Sequence, residues 1–161
     1  MATGKTSVGK ELANRLKKKF LDLDDIIEQR EEMRIVDIFR EKGEAYFRKI
    51  EKDLVKKISQ KTDLVVGCGG GAVVNEENLA NLKKSGVIIC LKADIDTILK
   101  RAQGTEQRPL LNVDDRKPRI SELLKRREPF YDQADNIIDT TNLSIKEVVD
   151  KVISILENKD I

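Results

Sequence analysis

The chain contains no histidine, which removes Ser-His-Asp and Cys-His catalysis together with the commonest zinc ligand. Any chemistry therefore falls to carboxylates, lysine, arginine and backbone amides. Cys68 and Cys90 are the only cysteines; they lack metal-ligand spacing and read as reduced thiols in apolar surroundings, as in a cytoplasmic protein. No apolar run approaches the ~18 residues of a membrane span, and no charged-then-apolar leader pattern opens the sequence. The expectation is a soluble protein with no membrane partner. A surplus of one charge is missing too: 31 basic residues against 29 acidic ones leave +2. That is far from the basic bias of a dedicated nucleic-acid binder.

What is present is alternation. At 161 residues the chain suits one domain with a core of packed helices and strands. From Ser7 to Phe20 the apolar residues Val8, Leu12, Leu16 and Phe20 recur every four positions, with Ala13 alongside, so an amphipathic helix is predicted there. Lys17, Lys18 and Lys19 fall on its polar side near the C-terminus, where positive charge suits the helix dipole. "FLDLDD" (20–25) reads as a short strand, followed by helical stretches from Ile26 through Ile58. Asp25 reads as the cap of the helix beginning at Ile26, a role worth ~1 kcal/mol. Leu64 to Val66, Val87 to Leu91 and Asn136 to Asp139 are strand-like. A closing helix places Ile145, Val148, Val149, Val152, Ile153 and Leu156 on one face.

Fully apolar strands alternating with helices predict an α/β fold, a parallel sheet covered by helices on both faces. The order begins with a helix, however, and lacks the strand that normally precedes a phosphate-binding turn.

Gly4-Lys5-Thr6 matches the second half of the pattern G-x-x-x-x-G-K-[ST], whose first glycine would lie before Met1. In such a loop, backbone N–H groups and the helix dipole cradle phosphates, the lysine reaches the β- and γ-phosphates, and the hydroxyl meets Mg²⁺. Asp22 and Asp24 stand where a strand ends, at the sheet edge where ligands bind. Their natural roles are a magnesium ligand and a base orienting a hydroxyl. Arg48 and Glu51 are three apart on a helix, so the carboxylate can steer the guanidinium; an ordinary surface ion pair is the competing reading. Gly69, Gly70 and Gly71 directly after a buried strand belong where backbone bends sharply or approaches a ligand. The polar stretch from about 103 to 117 reads as a lid carrying Arg108 onto transferring phosphates. Arg127, at a helix end before Pro129, offers a second guanidinium for a carboxylate substrate.

Taken in order, GKTSVGKELA, FLDLDDIIE, IFREKGEAYFRKIE, GGGAV, RPLL and RREPFY resemble the shikimate kinases from Met1 to about Thr141. The resemblance implies a single P-loop kinase domain over 1–161, a three-layer α/β/α fold with five parallel strands in the family. The first of these strands is central and is absent here, so Met1 is expected to be a false start and the chain front-truncated, the sheet either standing open at that place or having its flanking strands close on each other, with Gly4 to Thr6 loosely anchored. It further implies a helical acceptor-binding segment over about 23–52 and a lid over about 103–117. The implied reaction moves the γ-phosphoryl of MgATP to the 3-hydroxyl of shikimate, in aromatic amino-acid biosynthesis, in a cytoplasmic monomer.

Carried over by position, the resemblance gives Gly4, Lys5 and Thr6 to the nucleotide, Thr6 and Asp22 to magnesium, and Asp24 to the acceptor hydroxyl. Arg48 and Arg127 clamp the shikimate carboxylate with the amides of Gly69 to Gly71, Glu51 steers Arg48, Arg108 closes on the phosphates and Arg101 lies near adenine. "TTNLSIKE" (140–147) has no arginine where family members place one near adenine. Competing readings are a gluconate-type kinase of the same fold and a non-catalytic remnant that binds a phosphorylated ligand.

Overall fold

The computed structural model describes residues 3–102 and 116–158. Helix α1 (Lys5–Leu16) starts directly after Gly4, whose φ of 88° lies in the left-handed region that favours glycine. It ends four residues before its predicted limit. Lys17 turns left-handed (φ 54°), its amide donates to Asn14 O, and that of Lys18 donates to Ala13 O, closing the last turn. The lysine run thus lies past the helix rather than on its last turn. Phe20, the fourth member of the periodic row, belongs to strand β1 (Lys19–Asp22) and packs back against α1. A Cβ on Gly9 would lie 2.3 Å from its ring, so the absence of a side chain at Gly9 is what lets the strand approach.

Strand β1 pairs in parallel with β2 (Leu64–Gly67), Lys19 opposite Leu64 and Asp22 opposite Gly67. Between them run α2 (Leu23–Glu31), α3 (Ile35–Glu41) and α4 (Gly43–Ile58). The cap of α2 is Asp22, whose side chain accepts from the Asp24 amide; Asp25 is exposed inside the first turn. Past the glycines come a short 3₁₀ turn (Ala72–Val74) and α5 (Glu76–Ser85), capped by Asn75. Strand β3 (Ile89–Lys92) pairs in parallel with β4 (Asn136–Asp139), Ile89 opposite Asn136. Between these lie α6 (Ile95–Ala102) and α7 (Arg116–Tyr131), and α8 (Ile145–Glu157) closes the order behind a Ser144–Glu147 capping box. Pro129 does not end α7, which continues through it to Tyr131. Arg116 and Lys117, expected in the lid, open that helix; Met1, Arg108 and the rest of the lid lie outside the described residues.

Helices cover both faces of the strands. Val65 of β2 and Ile89 and Leu91 of β3 pack with α1 and α8 around Val8, Leu12, Val148, Val149 and Val152. Leu64 and Val66 point the other way, into the cluster of Leu23, Ile27, Ile38, Phe47, Leu54 and Val55 from α2 to α4. That alternation is the period-two geometry of a strand buried on both sides. A third cluster, Ile98, Ala102, Ile120 and Leu123, joins α6 to α7.

The strands form two separate parallel pairs. Among the described residues no ladder joins β2 to β3, and a cavity of about 1370 Å³ has both of these strands in its lining. The sheet is therefore open at the expected place, and its flanking strands do not close on each other.

Candidate active site

The end of β1 and the start of α1 meet at one carboxylate. Asp22 is buried and accepts from Lys5 Nζ at 3.0 and 3.2 Å, from Thr6 Oγ1 at 2.9 Å and from the Asp24 amide at 3.1 Å. Gly4 to Thr6 are thus firmly held, contrary to the loose anchoring expected. The left-handed turn at Gly4 leads straight into α1, where the free amides of a first helical turn favour anions.

The glycine run after β2 shows why no side chain is accommodated there. A Cβ on Gly69 would lie 3.2 Å from Asp24 Oδ1; on Gly70, 2.7 Å from the Tyr131 hydroxyl and 3.3 Å from Arg127 Nη1; on Gly71, 2.6 Å from both terminal nitrogens of Arg48. Three separate elements, α2, α4 and α7, lay polar side chains on three successive glycines. Arg48 donates to Glu51 Oε2 at 2.8 Å and to Glu44 Oε1 at 3.1 Å. Glu51 is 1% exposed and the Arg48 side chain 29%, so the pair is half-buried, with its carboxylate inside the protein. Burial pushes the Glu51 carboxyl above the usual carboxylate range, and the Arg48 guanidinium pulls it part of the way back. Burial pushes the thiol of Cys68, directly before these glycines, up to about 12.

Also in the cavity lining, Arg101 of α6 donates to Thr140 Oγ1 at 3.1 Å and to Thr140 O at 2.9 Å. The buried Thr140 hydroxyl faces the carbonyls of Lys92 at 3.0 Å and Thr3 at 3.3 Å. Since Lys92 O also takes the Thr140 amide at 2.8 Å, this one residue ties β3, the turn before α1 and Arg101 together.

Lys5, Asp24, Arg48, Gly70, Arg101 and Arg127 line one continuous cavity, so segments far apart in sequence converge as expected. Arg108 lies outside the described residues. Among them there is no cluster of three or more histidine, cysteine or acidic side chains able to hold a metal ion. Two residues of this cavity were not anticipated. Tyr131 stands four positions after Arg127, a spacing that shares a helix face, but it was concealed by ending the helix before Pro129. Thr140 directly follows the last strand, at the ligand-binding edge of a parallel sheet.

A family model for shikimate kinase matches residues 1–157. The chain belongs to the shikimate kinase family. The shikimate kinase of Thermodesulfovibrio yellowstonii is 46% identical over 95% of this chain and 88% of its own length. That of Caldanaerobacter subterraneus is 47% identical over 95% of this chain and 90% of its own. Among solved structures, a shikimate kinase from Acinetobacter baumannii in complex with shikimate superposes with a TM-score of 0.95 at 32% identity, covering 99% of this chain and 89% of the other. The Aquifex aeolicus shikimate kinase gives 0.83 at 31%, covering 99% and 93%. The family's α/β fold with parallel strands is the fold described here.

Proposed function

We propose that the chain transfers the γ-phosphoryl group of ATP to the 3-hydroxyl of shikimate, a step of aromatic amino-acid biosynthesis, as a monomeric cytoplasmic enzyme. The observation that carries this reading is the convergence of Arg48 and Arg127 on one glycine loop, with Asp24 against its first glycine. Two guanidinium groups approaching from different helices suit a small carboxylate, because charge-assisted pairing fixes orientation as well as affinity. The Gly69 to Gly71 amides complete that clamp, and Glu51 holds Arg48 toward it.

Asp24 is the group assigned to the acceptor hydroxyl, accepting its proton as the oxygen bonds to the γ-phosphorus and the bond from that phosphorus to the bridging oxygen breaks, releasing ADP. Lys5 exchanges the Asp22 carboxylate for the phosphates, where its ammonium offsets the charge on the transferring group. That exchange frees Asp22, which with Thr6 Oγ1 suits Mg²⁺, an ion that binds through one or two protein oxygens together with substrate phosphates. When bound, Mg²⁺ neutralises charge on the phosphate oxygens. Arg101 serves the adenine end, and Arg108, in the segment from about 103 to 117, is assigned to closing over the phosphates. The helical acceptor segment over about 23–52 corresponds to α2 through α4. No helix among the described residues is long and apolar enough to cross a membrane.

The test is ADP release with shikimate and with gluconate as acceptors. Release that depends on shikimate supports the proposal. Release with gluconate alone, or with neither, overturns it.

A further inference from the structure

Tyr131 has no part in the scheme above, yet it touches the acceptor loop directly. Its hydroxyl donates to Gly70 O at 3.0 Å. Burial pushes the phenol above its ordinary range, against the pull of Arg127, so it keeps the proton it donates. Helix α7 presents Arg127 and Tyr131 one turn apart on the same face, and both lie against Gly70.

The hydrogen bond does more than fill space. A trans peptide is planar, so the Gly71 N–H points opposite to the Gly70 carbonyl. Tying that carbonyl to α7 aims the Gly71 amide away from α7, and Gly71 is the residue against which the Arg48 guanidinium lies. The Tyr131 hydroxyl is therefore a strut between the helix that carries Arg127 and the loop beneath Arg48. We infer that Tyr131 is a positioning residue that fixes the Gly70–Gly71 peptide, and with it the spacing of the two arginines, for a carboxylate-bearing acceptor. The inference rests on the function proposed above.

Tyr131→Phe removes one oxygen and keeps the ring. The expected result is a rise of about tenfold in the KM for shikimate, the scale of one lost hydrogen bond, with the KM for ATP unchanged and the melting temperature lower by no more than about 5 °C. A second readout uses the close approach at Gly70. Gly70→Ala should weaken shikimate binding strongly in the parent chain and less in the Tyr131→Phe background, because the oxygen that the new Cβ would meet is gone; the two changes are then non-additive. A Tyr131→Phe chain with parental shikimate KM, one that loses both substrates together or melts below that limit, or strict additivity with Gly70→Ala would each overturn the inference. A parent chain with no shikimate-dependent ADP release overturns the proposed function and this inference together; an active parent with an indistinguishable Tyr131→Phe variant overturns the inference alone.

Discussion

The Lys5 ammonium lies 3.0 Å from Asp22 Oδ2 and 3.2 Å from Oδ1, a forked ion pair that locks the start of α1 to the end of β1. Asp22 is 4% exposed at its side chain and Lys5 26%, so the pair is shielded on one side and open on the other. The ammonium is thus held in the lining of the cavity, with part of its surface open to an anion.

Asp22→Asn keeps the size of the side chain and an oxygen for the α2 cap, but not the charge that holds Lys5. Loss of a charge-assisted contact is expected to cost about 1.5–3 kcal/mol of stability, measured by urea unfolding without nucleotide. Turnover should fall as well, and raising Mg²⁺ should restore part of it.

Glu51 and Arg48 give a pH dependence with a definite sign. The Glu51 pKa is raised in the folded chain, by burial first, and Arg48 opposes that rise. A group with a raised folded pKa contributes stability below its unfolded value, about 4.3, and loses it as pH rises through the folded value. Arg48→Met removes the opposing guanidinium and raises the folded value further. The deficit relative to the parent chain should therefore be small near pH 4 and grow to about 3 kcal/mol by pH 7–8. Thermal unfolding over that range checks it, and a constant deficit would refute the assignment.

Asp24→Asn is expected to lower kcat by about 10²–10⁴-fold, the usual worth of a group that handles the reacting proton. Asp25, exposed one residue later on α2, should tolerate the same change within about 0.5 kcal/mol and with unchanged kcat. Steady-state kinetics on the two variants separates neighbours that the sequence alone presents as a pair.

Thr140→Val preserves shape while removing the hydroxyl that Arg101 reaches and that faces Thr3 O. The KM for ATP should rise about tenfold, on the scale of a lost hydrogen bond, while the KM for shikimate stays constant. Thr140→Ser should restore the parental value. Equal effects on both substrates would show a packing role instead.

Much of the architecture was legible because the strands are short apolar runs set off by charged or glycine-rich turns, as at Leu64–Gly67. The errors came where tertiary packing overrode a local pattern. Phe20 continued the four-residue period of α1, but a left-handed Lys17 ended the helix and the ring packed on Gly9 from a neighbouring strand. Pro129 read as a terminator, yet α7 runs through it to Tyr131, at the cost of one i→i−4 hydrogen bond. Asp22 read only as a metal ligand because Asp25, directly before the apolar Ile26, offered a local cap, whereas the helix starts before both, at Leu23. The glycine loop was the most legible part of the site: three adjacent glycines carry an entropic cost that close contacts from Asp24, Arg127 and Arg48 account for.

The open seam between β2 and β3 changes where unpaired strand backbone lies among the described residues. Sheets normally confine their unpaired backbone to the two outermost strands, where charge, proline or a covering helix discourages contact. Here, among the described residues, two further strand margins face each other across an aliphatic channel formed by residues such as Val65, Ile89 and Leu91. An extended aliphatic segment entering that channel would form two hydrogen-bonded ladders at once, where an outer strand offers only one.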